Sequence, residues 1–133
     1  MINLNEAVGI FPTRGRNYDD KKGAEVRIAI HHQKHGNKNN VNFSFYGERV
    51  FKIFDGHGIV PYIYKDKIVF AIDDENGYTF SIPRSAENAK IKRAEVKIIN
   101  NELLLFCVNN EGCYKLKYDY DSKLYYINMR ERL

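Results

Sequence analysis

The chain has no tryptophan and only two cysteines, Cys107 and Cys113. Two thiols are too few to staple 133 residues, and a reducing compartment keeps such thiols free, so no disulfide framework is expected. Long apolar runs are missing as well. Nothing approaches the roughly 20 residues that span a bilayer, and no basic segment precedes an apolar signal core at the N-terminus. The chain therefore reads as a cytoplasmic protein with no membrane partner. Also lacking are a phosphate-cradling glycine loop, a nucleophile elbow, an HExxH helix and a calcium loop. These absences remove the common motif-bearing enzymes, leave catalysis without a positive argument, and imply no cofactor.

What is present points to β-structure. Ten tyrosines and eight phenylalanines supply bulky side chains that favour half-buried pleated surfaces. Hydrophobic residues make up 44% of the chain and charged residues 29%, the balance of an ordinary globular domain. A length of 133 residues suits one domain with one core. Asparagine, lysine, isoleucine and tyrosine are abundant and alanine sparse, the bias of an A/T-rich genome such as that of a low-GC bacterium or its phage. Net charge is +4 with an isoelectric point near 9.0, which favours acidic partners.

Periodicity assigns the elements. The apolar start (Ile2, Leu4, Val8, Ile10, Phe11) reads as a strand, followed by an exposed loop over Thr13–Gly23. Val26, Ile28 and Ile30 alternate with Glu25, Arg27 and Ala29, which puts the three large apolar side chains on one face of a strand. The stretch His31–Asn40 has turn composition, and Val41–Phe45 alternates again. Tyr46, Val50, Ile53 and Phe54 change to helical spacing, predicting one short helix over 46–54 with Gly56 as its stop.

Beyond Ile59 the pattern predicts hairpins. Ile68–Ile72 and Tyr78–Ile82 flank Asp73–Gly77, which would put Phe70, Ile72, Phe80 and Ile82 on one face. Leu103–Val108 and Cys113–Tyr118 flank Asn109–Gly112, with Leu104, Phe106, Val108, Tyr114, Leu116 and Tyr118 facing inward. Strands are also expected at Ala94–Ile99 and Leu124–Ile127. The segments Phe70–Tyr78 and Phe106–Tyr114 resemble each other in type and order, as a duplication or as convergent turn chemistry. The connector Pro83–Lys90 could separate two packed β-units, about 1–83 and 91–133, of one domain. The expected class is mainly β, a β-rich α+β fold whose antiparallel hairpins and meander form a sheet, open barrel or sandwich.

Residues able to carry chemistry are few. His31, His32 and His35, with His57 further on, have ligand chemistry, but neighbours on a strand point to opposite faces, so a solvated or partner-contacting cluster is expected and no metal site. Cys107 and Cys113 lack knuckle spacing and read as sheet residues. Asp73 and Asp74, followed by Ala94-Glu95-Val96-Lys97, resemble the metal-binding hairpin of PD-(D/E)xK nucleases. That resemblance implies Mg²⁺ held by Asp74 and Glu95, with Lys97 positioning water. Alternating charge on a solvated strand accounts for the same letters.

Cations gather in segments that read as loops and connectors: Arg14, Arg16, Lys21 and Lys22, then Lys34 and Lys38, then Arg84, Lys90, Lys92, Arg93 and Lys97. Guanidinium groups beside glycine approach phosphates readily, and Tyr18 offers a stacking ring. The leading expectation is a non-catalytic binding module presenting Arg14, Arg16, Tyr18, Lys21, Lys22, Lys34, Lys38 and Arg93 to nucleic acid or an acidic protein surface. The alternatives are a small phage-type inhibitor of a host defence nucleoprotein, anti-CRISPR-like and acting by protein contact, and the metal-dependent nuclease.

Overall fold

Strand alternation organises the molecule into two antiparallel sheets in a computed structural model that describes residues 3–7, 23–32, 39–82 and 93–133. The first sheet contains β1 (Val26–His31), β2 (Asn40–Tyr46), β6 (Arg93–Ile98) and β7 (Gly112–Tyr114), in the order β6-β2-β1-β7. Its register places Val26 opposite Phe45 and Ile28 opposite Phe43, with Val96 beyond Phe43 on β6. Every one of these side chains is buried. The other face of β2 is buried too, because Asn40, Asn42, Ser44 and Tyr46 lie inside as fully as their apolar neighbours.

The short helix follows β2 as the spacing predicts. It runs from Glu48 to Phe54 (α1) and buries Val50 and Phe54, one turn apart. Gly56 takes φ +80 just past its end, a left-handed conformation that glycine adopts without a Cβ clash and that turns the chain into β3.

The second sheet holds β3 (Gly58–Tyr64), β4 (Lys67–Ile72), β5 (Tyr78–Thr79), β8 (Lys117–Asp119) and β9 (Leu124–Asn128), in the order β5-β3-β4-β9-β8. Here the hairpin expected between Ile68–Ile72 and Tyr78–Ile82 does not form. β4 pairs with β3 and β9, while β5 joins the far side of β3. The tight reversal lies one element earlier, at Lys65-Asp66, with Tyr64 opposite Lys67. Lys65 accepts φ 55 there, so no glycine marks the turn in the sequence. The Asp73–Gly77 loop folds back over the head of β3 through Asp73 N–H to Gly58 O (2.9 Å) and Gly58 N–H to Asp74 Oδ1 (3.1 Å). A Cβ on Gly58 or on Gly77 would sit 2.4 Å from the Asp73 carbonyl oxygen, so this crossing requires both glycines. Ile72 and Ile82 consequently end up exposed.

A second expectation is also overturned. Leu103–Val108 is not a strand but the body of helix α2 (Asn101–Cys107). The side chain of Asn100 caps it by accepting the Leu103 N–H at 2.9 Å, and Glu102 sits favourably in its first turn. Leu103 and Cys107, four residues apart, are buried. Leu104 and Phe106 flank that stripe half-buried, whereas Leu105 and Val108 are exposed. Cys107 is therefore a helical core residue, while Cys113 does lie in a strand. The inward set expected for this region splits as well: Tyr114 pairs into the first sheet, and Tyr118 into the second. Phe70–Tyr78 and Phe106–Tyr114, alike in sequence, thus adopt different structures.

The sheets meet along two lines. Ser81 bridges to Glu95 through Glu95 N–H to Ser81 O (2.7 Å), and β7 passes directly into β8 through buried Leu116. Each sheet takes strands from both sides of the Pro83–Lys90 connector, which itself lies outside the described residues. At the N-terminus, Leu4–Glu6 forms a 3-10 turn where a strand was expected, and Val8, Ile10 and Phe11 fall outside the described residues.

Between the sheets the core is aromatic. Phe70 meets Phe43 and Phe45 edge-on, each at 5.3 Å between centroids, and Phe54 from α1 closes the group 5.8 Å from Phe45. Such pairs add about 0.5–1.5 kcal/mol each beyond the area they bury. Beside the core, Glu25 binds Arg49 of α1 in two-pronged fashion at 3.0 and 3.1 Å and accepts the Leu116 N–H at 3.2 Å. That one carboxylate ties the start of β1 to α1 and to the β7–β8 link. Among the described residues no helix is long and apolar enough to cross a membrane.

Candidate functional site

Strand periodicity also decides what the second sheet shows to solvent. Ile59, Ile68, Phe70 and Ile127 face the core, so the intervening side chains point outward. On β3 these are Val60, Tyr62 and Tyr64; on β4, Lys67, Val69 and Ala71; on β9, Leu124 and Tyr126. The register aligns Tyr62 with Val69 and Val69 with Tyr126, and Tyr64 with Lys67. The result is an open depression of about 770 Å³ whose floor is Val69 and Ala71 and whose walls include Tyr62, Tyr64 and Tyr126.

Tyr62 and Tyr64 are 55% and 56% exposed, a large aromatic area for a surface where threonine or lysine would carry no hydrophobic penalty. Lysines stand over two of the three rings: Lys65 Nζ lies 5.3 Å from the Tyr64 centroid and Lys67 Nζ 5.8 Å from that of Tyr126. Cations over ring faces hold the rings in place while leaving the ammonium groups wet. Acidic groups temper the charge. Lys67 lies 3.8 Å from Asp66 Oδ1, and Lys117 hydrogen-bonds Glu131, which raises the lysine's pKa. Asp119, at the rim, is held below the ordinary carboxylate range by the Ser122 hydroxyl and nearby backbone N–H groups. Among the described residues no ion pair engages Lys65 or Lys123.

A second, smaller feature is the pair His57–Asp74. His57 Nδ1 lies 3.0 Å from Asp74 Oδ1 at the edge of a pocket of about 200 Å³. The Gly58 N–H, and then His57, lower the Asp74 pKa. This carboxylate is engaged in holding the Asp73–Gly77 loop. Glu95 takes different partners, Arg93 Nε at 3.2 Å and Lys97 Nζ at 4.0 Å. Among the described residues no three His, Cys, Asp or Glu side chains converge on a common metal position. His31 closes β1 and His32 follows it exposed, while His35 lies outside the described residues. Both cysteines are buried thiols, and burial pushes the Cys107 thiol up to about 12.

Of the sequence-predicted binding residues, Arg14, Arg16, Tyr18, Lys21, Lys22, Lys34 and Lys38 lie outside the described residues. Arg93 lies within them, at the start of β6 beside Tyr46 and Glu95, away from the tyrosine face. The face itself was missed by sequence reasoning. Its signal was available as Val-x-Tyr-x-Tyr on β3 and Leu-x-Tyr on β9, an alternation whose outward phase is aromatic instead of polar.

No protein-family model, curated protein or solved structure matches the chain.

Proposed function

We propose that the protein is a non-catalytic binding module whose tyrosine face takes single-stranded nucleic acid. The observation that carries this reading is the trio Tyr62, Tyr64 and Tyr126 around one open depression, with Lys65 beside the Tyr64 ring and Lys67 beside that of Tyr126. Every base has a π-face, so exposed rings on a rigid sheet bind unpaired bases without demanding a sequence, and neighbouring ammonium groups meet the phosphates. Spacing favours an extended strand. Tyr62 and Tyr64 are two residues apart on β3, about 6.6 Å by strand rise. That is roughly twice the 3.4 Å separation of stacked bases, so adjacent bases would each take a ring only when unstacked from one another.

The overall charge of +4 agrees with an anionic ligand, and the basic residues Arg14, Arg16, Lys21, Lys22, Lys34 and Lys38 contribute to it. The cytoplasm suits both the ligand and two free thiols. Duplex nucleic acid hides its base faces and gains only the charge term. The test is binding to single- and double-stranded DNA and RNA across a salt series. Preference for single strands with affinity falling steeply in salt is the expected result. No binding to any of them at low salt removes the reading and leaves an acidic protein surface as the ligand to examine.

A further inference from the structure

The far side of the β3–β4 hairpin holds a second cleft, of about 590 Å³, lined by Lys65, Asp66, Phe106, Asn110, Met129 and Arg130. It adjoins the tyrosine face directly, because Lys65 lines this cleft while its ammonium stands over the ring of Tyr64. The cleft is firmly built. Met129 N–H donates to Asp66 O at 2.9 Å, and Arg130 Nε meets Asp66 Oδ2 at 2.6 Å, tying the hairpin tip to the C-terminal turn. Those contacts use the Arg130 Nε, and among the described residues no other acceptor engages its two terminal nitrogens, on a side chain that is 81% exposed. Asp66 offsets one positive charge, and Lys65 has no ion pair among the described residues. Asn110 spends an amide N–H on Phe106 O at 2.6 Å and its backbone carbonyl on the Tyr114 hydroxyl, while among the described residues no donor reaches its side-chain oxygen, which is placed to accept from a sugar or base. Phe106 and Met129 supply an apolar wall.

We infer that this cleft is a second subsite of the same ligand: a strand lying along Tyr62 and Tyr64 continues over the hairpin tip and sets a backbone phosphate between Lys65 and Arg130. The inference rests on the tyrosine-face reading and adds to it a direction of travel, along β3 towards its C-terminal end, and a footprint longer than the tyrosines alone. Guanidinium and ammonium groups on either side of a gap match a phosphate's tetrahedral oxygens. The base beyond that phosphate would rest against Phe106 and Met129.

The experiment measures the affinity of di-, tetra- and hexathymidylate for the full chain and for an Arg130→Gln variant, which removes the one cation of the cleft that takes no part in the tyrosine face. Glutamine keeps a hydrogen-bond donor for Asp66 while the charge goes, and far-UV circular dichroism checks the fold. The parent protein is expected to bind the tetramer at least tenfold more tightly than the dimer. The variant should lose that gain while binding the dimer as before, and its log-affinity against log-salt slope on the longer oligonucleotides should fall by about 0.7 for each phosphate released. A length gain that survives in the variant overturns the subsite and leaves the tyrosine face intact. Absence of binding at every length overturns both, and a Tyr62→Ala control that still binds the tetramer like the parent assigns the strand to a different surface and overturns both as well.

Discussion

Replacing Leu103 by alanine is expected to cost about 2–5 kcal/mol, the range for truncating a buried leucine, because its side chain is 5% exposed in the core stripe of α2. Replacing Leu105, two residues on and 76% exposed, should change stability by no more than about 0.5 kcal/mol. The contrast decides between helix and strand for this segment. On a strand, residues 103 and 105 share a face and their substitutions would weigh alike; on a helix they lie far apart around the axis. A typical domain has only about 5–15 kcal/mol in total, so the Leu103 variant is a substantial fraction of it. At this length each kcal/mol moves the melting temperature by about 3–5 °C, giving a drop of at least about 6 °C for Leu103→Ala and almost none for Leu105→Ala. Urea unfolding followed by circular dichroism, with tyrosine fluorescence as a second probe in a protein without tryptophan, measures both. Equal losses in the two variants would refute the helical assignment.

Glu25→Ala should destabilise by about 1–3 kcal/mol, since it strands the partly buried Leu116 N–H and removes the carboxylate that pairs with Arg49 of α1, leaving that guanidinium only the Leu116 carbonyl; denaturation by urea reads this, and a loss below about 0.3 kcal/mol would contradict the tie. Asp74 and Asp119 both have pKa values lowered below 3.8 in the folded protein, so the stability they add is complete above that value and fades as pH falls through their folded values. Acid titration of the melting temperature should therefore fall more gently for Asp74→Asn than for the parent, and an identical profile would count against the His57–Asp74 tie. The Cys107 thiol, pushed up to about 12 and buried, should resist alkylation at mildly alkaline pH until the protein unfolds; rapid labelling of the native protein at that position would contradict its burial.

Much of the fold was legible wherever periodicity was unambiguous. Val26–Ile30, Val41–Phe45, Ala94–Ile98 and Leu124–Ile127 are strands, and the stretch of helical spacing that starts at Tyr46 is a helix from Glu48 to Phe54, with Tyr46 itself ending β2. The mainly β class followed from these segments. Leu103–Val108 misled because six consecutive apolar residues have no period of their own. Only the cap at Asn100 and Glu102 marked it as helical. The pairing of β4 was hidden by Lys65, a residue that does not advertise the left-handed turn it makes. The tyrosine face was legible in pattern but not in meaning. Tyr62 and Tyr64 have the same spacing whether they face a core or solvent, and the phase is set by which of β3's two faces the α1 helix and first sheet cover. Loop cations were legible as charge, and charge alone places no ring beside them.

The central claim is that unpaired bases stack on Tyr62 and Tyr64. Its most direct test is the affinity of a Tyr62→Ala, Tyr64→Ala double variant for single-stranded oligothymidylate, measured by fluorescence anisotropy at low salt. Both side chains are more than half exposed, so the variant should remain folded. With about 1–3 kcal/mol per stacked base, each lost ring should weaken binding about 5- to 150-fold while the salt dependence stays unchanged. Undiminished affinity in a folded double variant would contradict the account.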